Sequence, residues 1–600
     1  MKAFKILLLH FFVLLSVQLH AVEGWIRINQ LGYLEKSIKA AVLISNDLNS
    51  IKTFDICDAS TGKVVWKGRK VEAFGKFGNF KNSYRLVFSD FEKKGSYFIK
   101  TGDIKSSVFP IGNNVYDGTA DFLLKYMRQQ QCGYNPFLKD SCHTHDGFIV
   151  DHPELSLQHI DVTGGWHDAT DYLQYVTTSA NAVYQLLFAY QQNPLAFADN
   201  YDKDGNPGQN GIPDILDEAK WGLDWLDKMN PKDEVMFNQI ADDRDHSLGF
   251  RLPTLDSTNY GKGLERPVYF VTGQVQGLRK YKNRTTGVAS TAGKFSSAFA
   301  LGSVLLKKYY PEFSEKIAKK AVSAYNFGKK YPGVCQTACV ISPYFYEEEN
   351  YVDDMELAAA QLFINSGETQ YLKDAVQFGS LEPVTPWMGA DTASHYEWYP
   401  FVNLGHYYLA KSSDLKASAR FLPFMKKGLE NVMQRGKDNP FLNGVPFIWC
   451  SNNLVSAILT QAKLYAQISG DKKYAEMEAA LRDWLFGCNP WGTSMIIDLP
   501  ENGDSPTDPH SSLWAKKQFK ISGGLVDGPI YGSIFKYLEG LKIVNGDEYE
   551  KFQSGFAVYH DDYGDYSTNE PTMDGTASLA FYLSALESEG KQAKEFSGSK

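Results

Sequence analysis

Beyond its first 21 residues the chain lacks any apolar run long enough to cross a membrane, which argues against transmembrane helices. It also lacks low-complexity segments and any basic stripe, and its formal net charge of −9 argues against nucleic acid as a partner. Charged residues make up only 22% of the chain and apolar residues 43%, the balance of a folded globular protein. Cysteine is sparse. The seven, at 57, 132, 142, 335, 339, 450 and 488, are odd in number and cannot all pair. Cys335 and Cys339 are close enough in sequence for a local bridge. Aromatic residues are plentiful by contrast, with 35 Tyr, 38 Phe and 11 Trp. Most belong to the core of a large protein, but aromatic faces also line clefts that bind sugars, because the C–H face of a pyranose packs on a ring.

The opening has the layout of an export signal: Lys2 and Lys5, an apolar run from Ile6 to Val17, and the small residue Ala21. No cysteine follows that point at once, so a lipid anchor is not expected there. The mature chain is expected to be exported, periplasmic or extracellular, soluble and monomeric. Its 600 residues exceed one ordinary core, so at least two domains are expected. Residues 22–112 carry short β-branched and aromatic runs at roughly ten-residue spacing, such as Lys39–Ile44, Tyr84–Phe88 and Gly95–Lys100, with Gly, Asn and Asp between them. That is the pattern of a small β-sandwich.

From about Val115 the texture becomes helical. About twelve helical candidates begin near Asp117, Tyr172, Asp214, Lys294, Glu312, Asp353, Tyr371, Tyr399, Leu415, Ser451, Lys473 and Thr576. In Ile215–Leu226 and Asn453–Tyr465 the apolar residues recur at i, i+3, i+4 and i+7. About twelve helices with almost no strands suit an (α/α)6 toroid over residues 113–590, six inner helices ringed by six outer ones. Long polar loops at 132–171, 230–293 and 488–574, rich in Gly, Trp, Tyr, Asp and His, are expected to carry function.

Two acid-rich loops hold candidate chemistry. Gly164-Gly-Trp-His-Asp-Ala-Thr-Asp-Tyr172 places Asp168 and Asp171 three residues apart ahead of a helix. Two acids there can simply cap the helix, but the glycines ahead of them suit close approach of backbone and ligand. His560-Asp-Asp-Tyr-Gly-Asp-Tyr-Ser-Thr-Asn-Glu570 precedes the last helix and mixes acids with tyrosines and a histidine. Cleaving a glycosidic bond needs one protonated carboxyl for the leaving oxygen and one ionised carboxyl to attack or to activate water. Loops distant in sequence can supply opposite walls of such a cleft.

On these and further motifs the chain resembles family 9 of the glycoside hydrolases, in the subgroup with an N-terminal immunoglobulin-like domain. The motifs are Ile26-Arg-Ile-Asn-Gln-Leu-Gly-Tyr33, Gly164–Tyr172, Asn210-Gly-Ile-Pro-Asp-Ile-Leu-Asp-Glu218, Phe447-Ile-Trp-Cys-Ser-Asn452, Gly487-Cys-Asn-Pro490 and Tyr566-Ser-Thr-Asn-Glu570, in the family's order. The resemblance implies an inverting hydrolase of β-1,4-linked glucan. Glu570 would be the general acid, Asp171 the general base, and Asp168 a holder of the attacking water. The two catalytic carboxyls of an inverting site stand about 6.5–9.5 Å apart. Tyr566, His510, Trp449 and Trp166 are the candidate sugar contacts. Two departures stand out. Thr170 replaces a usual glycine, and Ser511 and Ser512 follow His510 where the family has His and Arg. The second puts the usual cellulase preference in question.

The chemistry needs no cofactor, but two structural metals are candidates. Cys132, Cys142 and His143, with one further histidine, would close a zinc site like that of some relatives. His145, His152 and His159 are the candidates for the fourth ligand. His159 is preferred because it lies just before the catalytic loop. A Cys132–Cys142 disulfide is the alternative. Asp202-Lys-Asp-Gly-Asn206, with Asp214 after it, offers oxygens at Asp202, Asp204, Asn206 and Asp214 and looks like a calcium loop, though such residues are also ordinary turn formers. Two other functions remain open: exo-action on short oligosaccharides, including glucosamine-containing ones, and a non-catalytic carbohydrate-binding protein.

Overall fold

The computed structural model describes residues 23–598, except 49, 343–344 and 390–401. The proposed export signal and the helix start expected near Tyr399 lie outside the described residues.

Nine strands come first: β1 Gly24–Arg27, β2 Ala40–Ser45, β3 Phe54–Asp58, β4 Val64–Gly68, β5 Lys70–Phe77, β6 Phe80–Val87, β7 Gly95–Thr101, β8 Ile104–Lys105 and β9 Phe109–Ile111. They form two antiparallel sheets, β1-β2-β6-β5 and β4-β3-β7-β8, with β9 on β7. Inward residues from both, such as Leu43, Ile56, Leu86, Ile99 and Phe109, share one core. This is the expected sandwich.

Twelve α-helices of seven or more residues follow among the described residues: α1 Thr119–Gln130, α2 Val176–Gln192, α3 Asp214–Met229, α4 Ala289–Leu305, α5 Pro311–Lys330, α6 Val352–Ser366, α7 Thr369–Gly379, α8 Leu404–Ala410, α9 Leu415–Gly436, α10 Ser451–Ser469, α11 Ala475–Leu485 and α12 Met573–Gly598. The even-numbered helices pack on one another in a closed ring, α2-α4-α6-α8-α10-α12 and back to α2, and the odd-numbered ones lie outside it. The chain therefore alternates between the rings, which makes an (α/α)6 toroid. Composition explains which helix goes where. Inner α10 is buried at every position from Ser451 to Tyr465, and α4, rich in Ala, Ser and Gly, from Ala289 to Ser303. Outer α5 and α9 bury a stripe and expose Lys and Glu on the other face. Small residues let the inner helices close up. A Cβ on Gly293 of α4 would stand 2.8 Å from the Asp354 backbone of α6.

The loops contain more strand than expected. β10 Gly133–Asn135 pairs with β11 Asp140–Cys142, while β12 Phe148–Val150, β13 Gln174–Tyr175, β14 Phe237–Ile240 and β15 Pro267–Phe270 form a sheet ordered β12-β15-β14-β13. Each is only two to four residues long, too short to show a period in sequence. This sheet leads through β13 directly into α2 and frames the loop that holds Asp168 and Asp171.

That loop is anchored outward by Trp166. Its indole is fully buried and its Nε1 donates to Glu218 Oε1 of α3 at 2.7 Å. The ring lies over Gly222, where a Cβ would meet Trp166 Cη2 at 2.2 Å and Val183 Cγ2 at 2.4 Å. Gly222→Ala, normally favourable inside a helix, should therefore destabilise the protein by about 1–3 kcal/mol through overpacking. The check is the thermal midpoint by calorimetry, and an unchanged or raised midpoint would contradict this packing.

Candidate active site

Asp168, Asp171 and Glu570 line one pocket, together with His246, Tyr346, Trp449, Cys450 and Asp527. The pocket opens at the end of the toroid where the inner helices begin: α2 follows Asp171, α10 follows Cys450 and α12 follows Glu570. Backbone bonds hold the acid loops together. Thr170 N donates to Glu570 Oε1 at 2.9 Å, Met573 N to Asp168 O at 3.2 Å, and Asp527 N to Glu570 O at 2.8 Å.

Each carboxyl has a different setting. Asp168 accepts Thr178 Oγ1–H on Oδ1 and Tyr346 O–H on Oδ2, both at 2.5 Å. Burial, aided by the charge of Asp574, nevertheless pushes it up to about 8. Burial works on Asp171 in the same sense but loses there. His246 Nε2 stands 3.0 Å from Asp171 Oδ2, Leu173 N donates to Oδ1 at 3.2 Å, and the charge of Arg251 lies nearby. The net shift of Asp171 is downward. The pairing is mutual: although burial opposes it, the Asp171 charge raises His246 to about 9. Glu570 feels the His246 charge more weakly, after its bonds to Thr170. Burial and then the Asp171 charge raise it to about 8. Burial likewise drives Asp527 well above the carboxylate range, with the Glu570 charge next. At neutral pH the pocket thus holds an ionised Asp171 beside a protonated Glu570.

The proposed sugar contacts divide. Trp449 and Tyr566 stack with ring centroids 5.7 Å apart at 29°, and Tyr566 O–H donates to Glu539 O at 2.5 Å. His510 donates through Nδ1 to Tyr563 O at 2.6 Å and packs on Phe250 at 4.9 Å; burial lowers it, so the ring is neutral. These three rings flank the carboxyl pocket. Trp166 does not. Its indole points into the protein against α3, so its expected sugar contact is corrected to an anchoring role. His246 and Tyr346 had no sequence signal of their own. His246 lies in a loop marked as functional by composition alone, and Tyr346 lies outside the three loops so marked.

Cys132, Cys142, His143 and His167 bring four ligand atoms within 4.8 Å of one another, and among the described residues no second such group of His, Cys, Asp and Glu forms. Cys132 and Cys142 are thiols, so the disulfide alternative fails, and Cys335 is a thiol too, so it forms no bridge with Cys339. The fourth member is His167 and not His159. The His159 ring is exposed and meets Glu265 at 3.0 Å, whereas His167 Nε2 lies 3.2 Å from His143 Nδ1 and 3.9 Å from Cys142 Sγ. His145 and His152 are also outside the group. Two thiols and two imidazoles suit a tetrahedral metal. The outer support such a site needs is present: Asp256 Oδ2 sits 3.1 Å from His143 Nε2.

The calcium loop is a correction. Asp202 Oδ1 accepts Asp204 N and Asn206 N at 2.9 Å, an ordinary turn. Asp204 turns to Lys203 at 2.7 Å. Asp214 Oδ1 accepts Asn200 N and Tyr201 N at 3.0 Å, and its Oδ2 faces the Arg128 guanidinium at 3.5 Å. Asn206 Oδ1 accepts the Tyr134 hydroxyl at 3.3 Å, and the carboxylates of Asp202, Asp204 and Asp214 do not come together as a ligand group.

Known proteins share the sequence pattern and the fold. The chain is 23% identical over 600 residues to the xyloglucan-specific endo-β-1,4-glucanase of Bacteroides ovatus, covering 94% of this chain and 93% of that protein. A metagenome-derived glycoside hydrolase family 9 endoglucanase superposes with a TM-score of 0.73 at 25% identity, covering 94% and 99%. A zinc-binding triple mutant of family 9 endoglucanase J30 superposes with a TM-score of 0.72 at 23% identity, covering 92% and 99%. The family model of the cellulase N-terminal Ig-like domain matches residues 21–106. The model of glycosyl hydrolase family 9 matches residues 116–583, which run from α1 into α12 and include all four pocket acids, and the chain belongs to that family.

Proposed function

We propose that the protein is an endo-acting hydrolase of β-1,4-linked glucan that inverts the anomeric carbon, with Glu570 as general acid and Asp171 as general base. The observation that carries this is the opposition of two carboxyls in one pocket, Glu570 raised to about 8 and Asp171 held down by His246. Glu570 donates its proton to the glycosidic oxygen as the C–O bond breaks. Asp171 takes a proton from the water that attacks the anomeric carbon, while the water's other O–H is held by a hydrogen bond to Asp168 and stays with the product as its new hydroxyl. Glu570 then ends ionised and Asp171 protonated, and exchange with solvent restores both. The Trp449–Tyr566 pair offers an apolar face for the sugar beside the acid. Endo-action on a glucan chain is supported by the relatives named above, which are endoglucanases. Asp171 and Glu570 in complementary states weigh against a binding-only protein. The basic and apolar opening segment supports action in the periplasm or outside the cell.

We propose zinc for the group at Cys132, Cys142, His143 and His167. Four protein ligands leave no open position, so the metal would brace the catalytic loop through His167 and take no part in bond cleavage.

Glu570→Gln should lower kcat on a soluble β-1,4-glucan about 1000-fold with an unchanged thermal midpoint; near-normal turnover would remove Glu570 from the role. In the wild type, kcat/KM should fall as pH rises through about 8, where Glu570 loses its proton. On the acid side it should fall only below the usual carboxylate range, where Asp171 gains one. His246→Asn removes the cation that lowers Asp171, so the acid limb should move to higher pH; a limb that stays in place would contradict the pairing. Zinc removal by a chelator should lower the thermal midpoint, and Asp256→Asn should weaken zinc retention about 10–100-fold in chelator competition. Equal retention would show that Asp256 does not orient His143.

A further inference from the structure

The segment that joins β15 to α4 is built to hold a short tip away from the body. Its stem is closed by two buried amides. Gln276 N donates to Asn283 Oδ1 and Asn283 N to Gln276 O, both at 3.0 Å. Gln276 Nε2 then reaches Phe270 O at 3.2 Å and Asp151 Oδ2 at 2.9 Å, while Asn283 Nδ2 reaches Thr337 O at 3.2 Å. With Gln276 5% and Asn283 3% exposed, the stem is part of the protein interior. Between them the chain turns through a single 3-10 turn, Arg279–Tyr281, entered with Arg279 in the left-handed region at φ 54°. A non-glycine residue costs energy there. The cost is met at the residue that starts the cationic run.

What this tip presents to solvent is cationic and aliphatic, with Tyr281 half-buried among the cations. Leu278 is 77% exposed and Val275 53%, and Arg279, Lys280 and Lys282 are exposed beside them. Across a groove from Leu278 stands Val340, 40% exposed, with Ile341 next to it. No Asp or Glu occurs from Arg266 to Pro311, in a chain whose net charge is −9. The one acid lining the groove, Asp151, is bonded to Gln276 in the stem, and Arg284 beyond the tip is tied to Glu347. A cluster this short, three cations in four residues, does not register as a basic stripe along the sequence.

We propose that the 275–282 tip is a docking surface for a bilayer that carries anionic phospholipid, the cations meeting headgroups while Leu278 and Val275 enter the interface. The apolar members choose between anionic partners. An acidic polysaccharide is gripped by cations with open aromatic faces, and the tip's one ring, Tyr281, is half-buried with Lys280 Nζ 5.2 Å over it, whereas the exposed aliphatic side chains of Leu278 and Val275 gain free energy by leaving water for the acyl boundary. The attraction of cations to an anionic leaflet adds roughly 1 kcal/mol each and is screened by salt. No described helix is long and apolar enough to cross a membrane, so the contact is peripheral.

The test is co-sedimentation of the full protein with phosphatidylcholine vesicles, with and without phosphatidylglycerol. The wild type should partition onto the anionic vesicles only and come off as salt rises. Changing Arg279, Lys280 and Lys282 together to Ser should reduce partitioning on the order of 100-fold. Leu278→Ser should weaken it while leaving the salt dependence in place. All variants should keep wild-type hydrolysis of a soluble β-glucan and an unchanged thermal midpoint, which shows that they fold. Three results would overturn the proposal: a wild type that stays in the supernatant with anionic vesicles, a triple variant that binds as the wild type does, or tight binding of soluble polygalacturonate with Leu278→Ser behaving as the wild type on vesicles. The last would identify an acidic-glycan site instead.

Discussion

The ion pair between His246 and Asp171 is the interaction on which the site depends. Five carboxyl groups, those of Asp168, Asp171, Asp527, Glu570 and Asp574, act on one another in and beneath one pocket. Carboxylates this close and this buried cannot all ionise. The imidazolium decides which one does. It favours the charge on Asp171, and that charge then disfavours ionisation of Glu570. The low position of the base rests on the imidazolium, and the high position of the acid rests first on burial and then on the charge of that base.

The fold keeps that pair in place from two sides. On one side Trp166 ties the catalytic loop to Glu218 of α3, and His167, one residue before Asp168, joins the thiol and imidazole group. On the other side a chain of charged contacts runs from His143 to Asp256, from Asp256 to Arg251, and from Arg251 to Asp245, the residue before His246. Asp245 Oδ1 also accepts Tyr172 N, the amide after Asp171, at 3.0 Å. Both partners of the ion pair are thus held by groups that touch the proposed metal ligands. The carboxyl of Glu570 is fixed against the same loop through the Thr170 amide.

Much of this was legible in the sequence because it is local. The alternating helices carry a 3.6-residue apolar period, and the start of each expected helix whose position is described lies within five residues of an observed one. Asp168, Asp171 and Glu570 stand out because acids among glycine and aromatic residues in loops are poorly explained as surface charge. What was not legible depends on contacts between distant segments. Nothing local marks His246 as the partner of a residue 75 positions earlier. His159 is the expected fourth ligand because it lies just before the catalytic loop, but it is His167, within that loop, that the fold brings to the two cysteines. Trp166 stands beside the acids in sequence, yet its indole turns to Glu218 of α3 while Asp168 faces the pocket. In the Asp202–Asn206 segment, turn bonds to Asp202, the ammonium of Lys203 and the hydroxyl of Tyr134 engage the oxygens that a calcium ion would need.

Carboxyls in opposite protonation states across one pocket serve either of two chemistries. If Asp171 activates water, a β-linked glucan releases a product with the opposite anomeric configuration; if it attacks carbon directly, the configuration is kept. Proton NMR of freshly released reducing ends, recorded before mutarotation, separates the two. The account predicts the α-anomer from a β-1,4-linked substrate, and initial release of the β-anomer would contradict it.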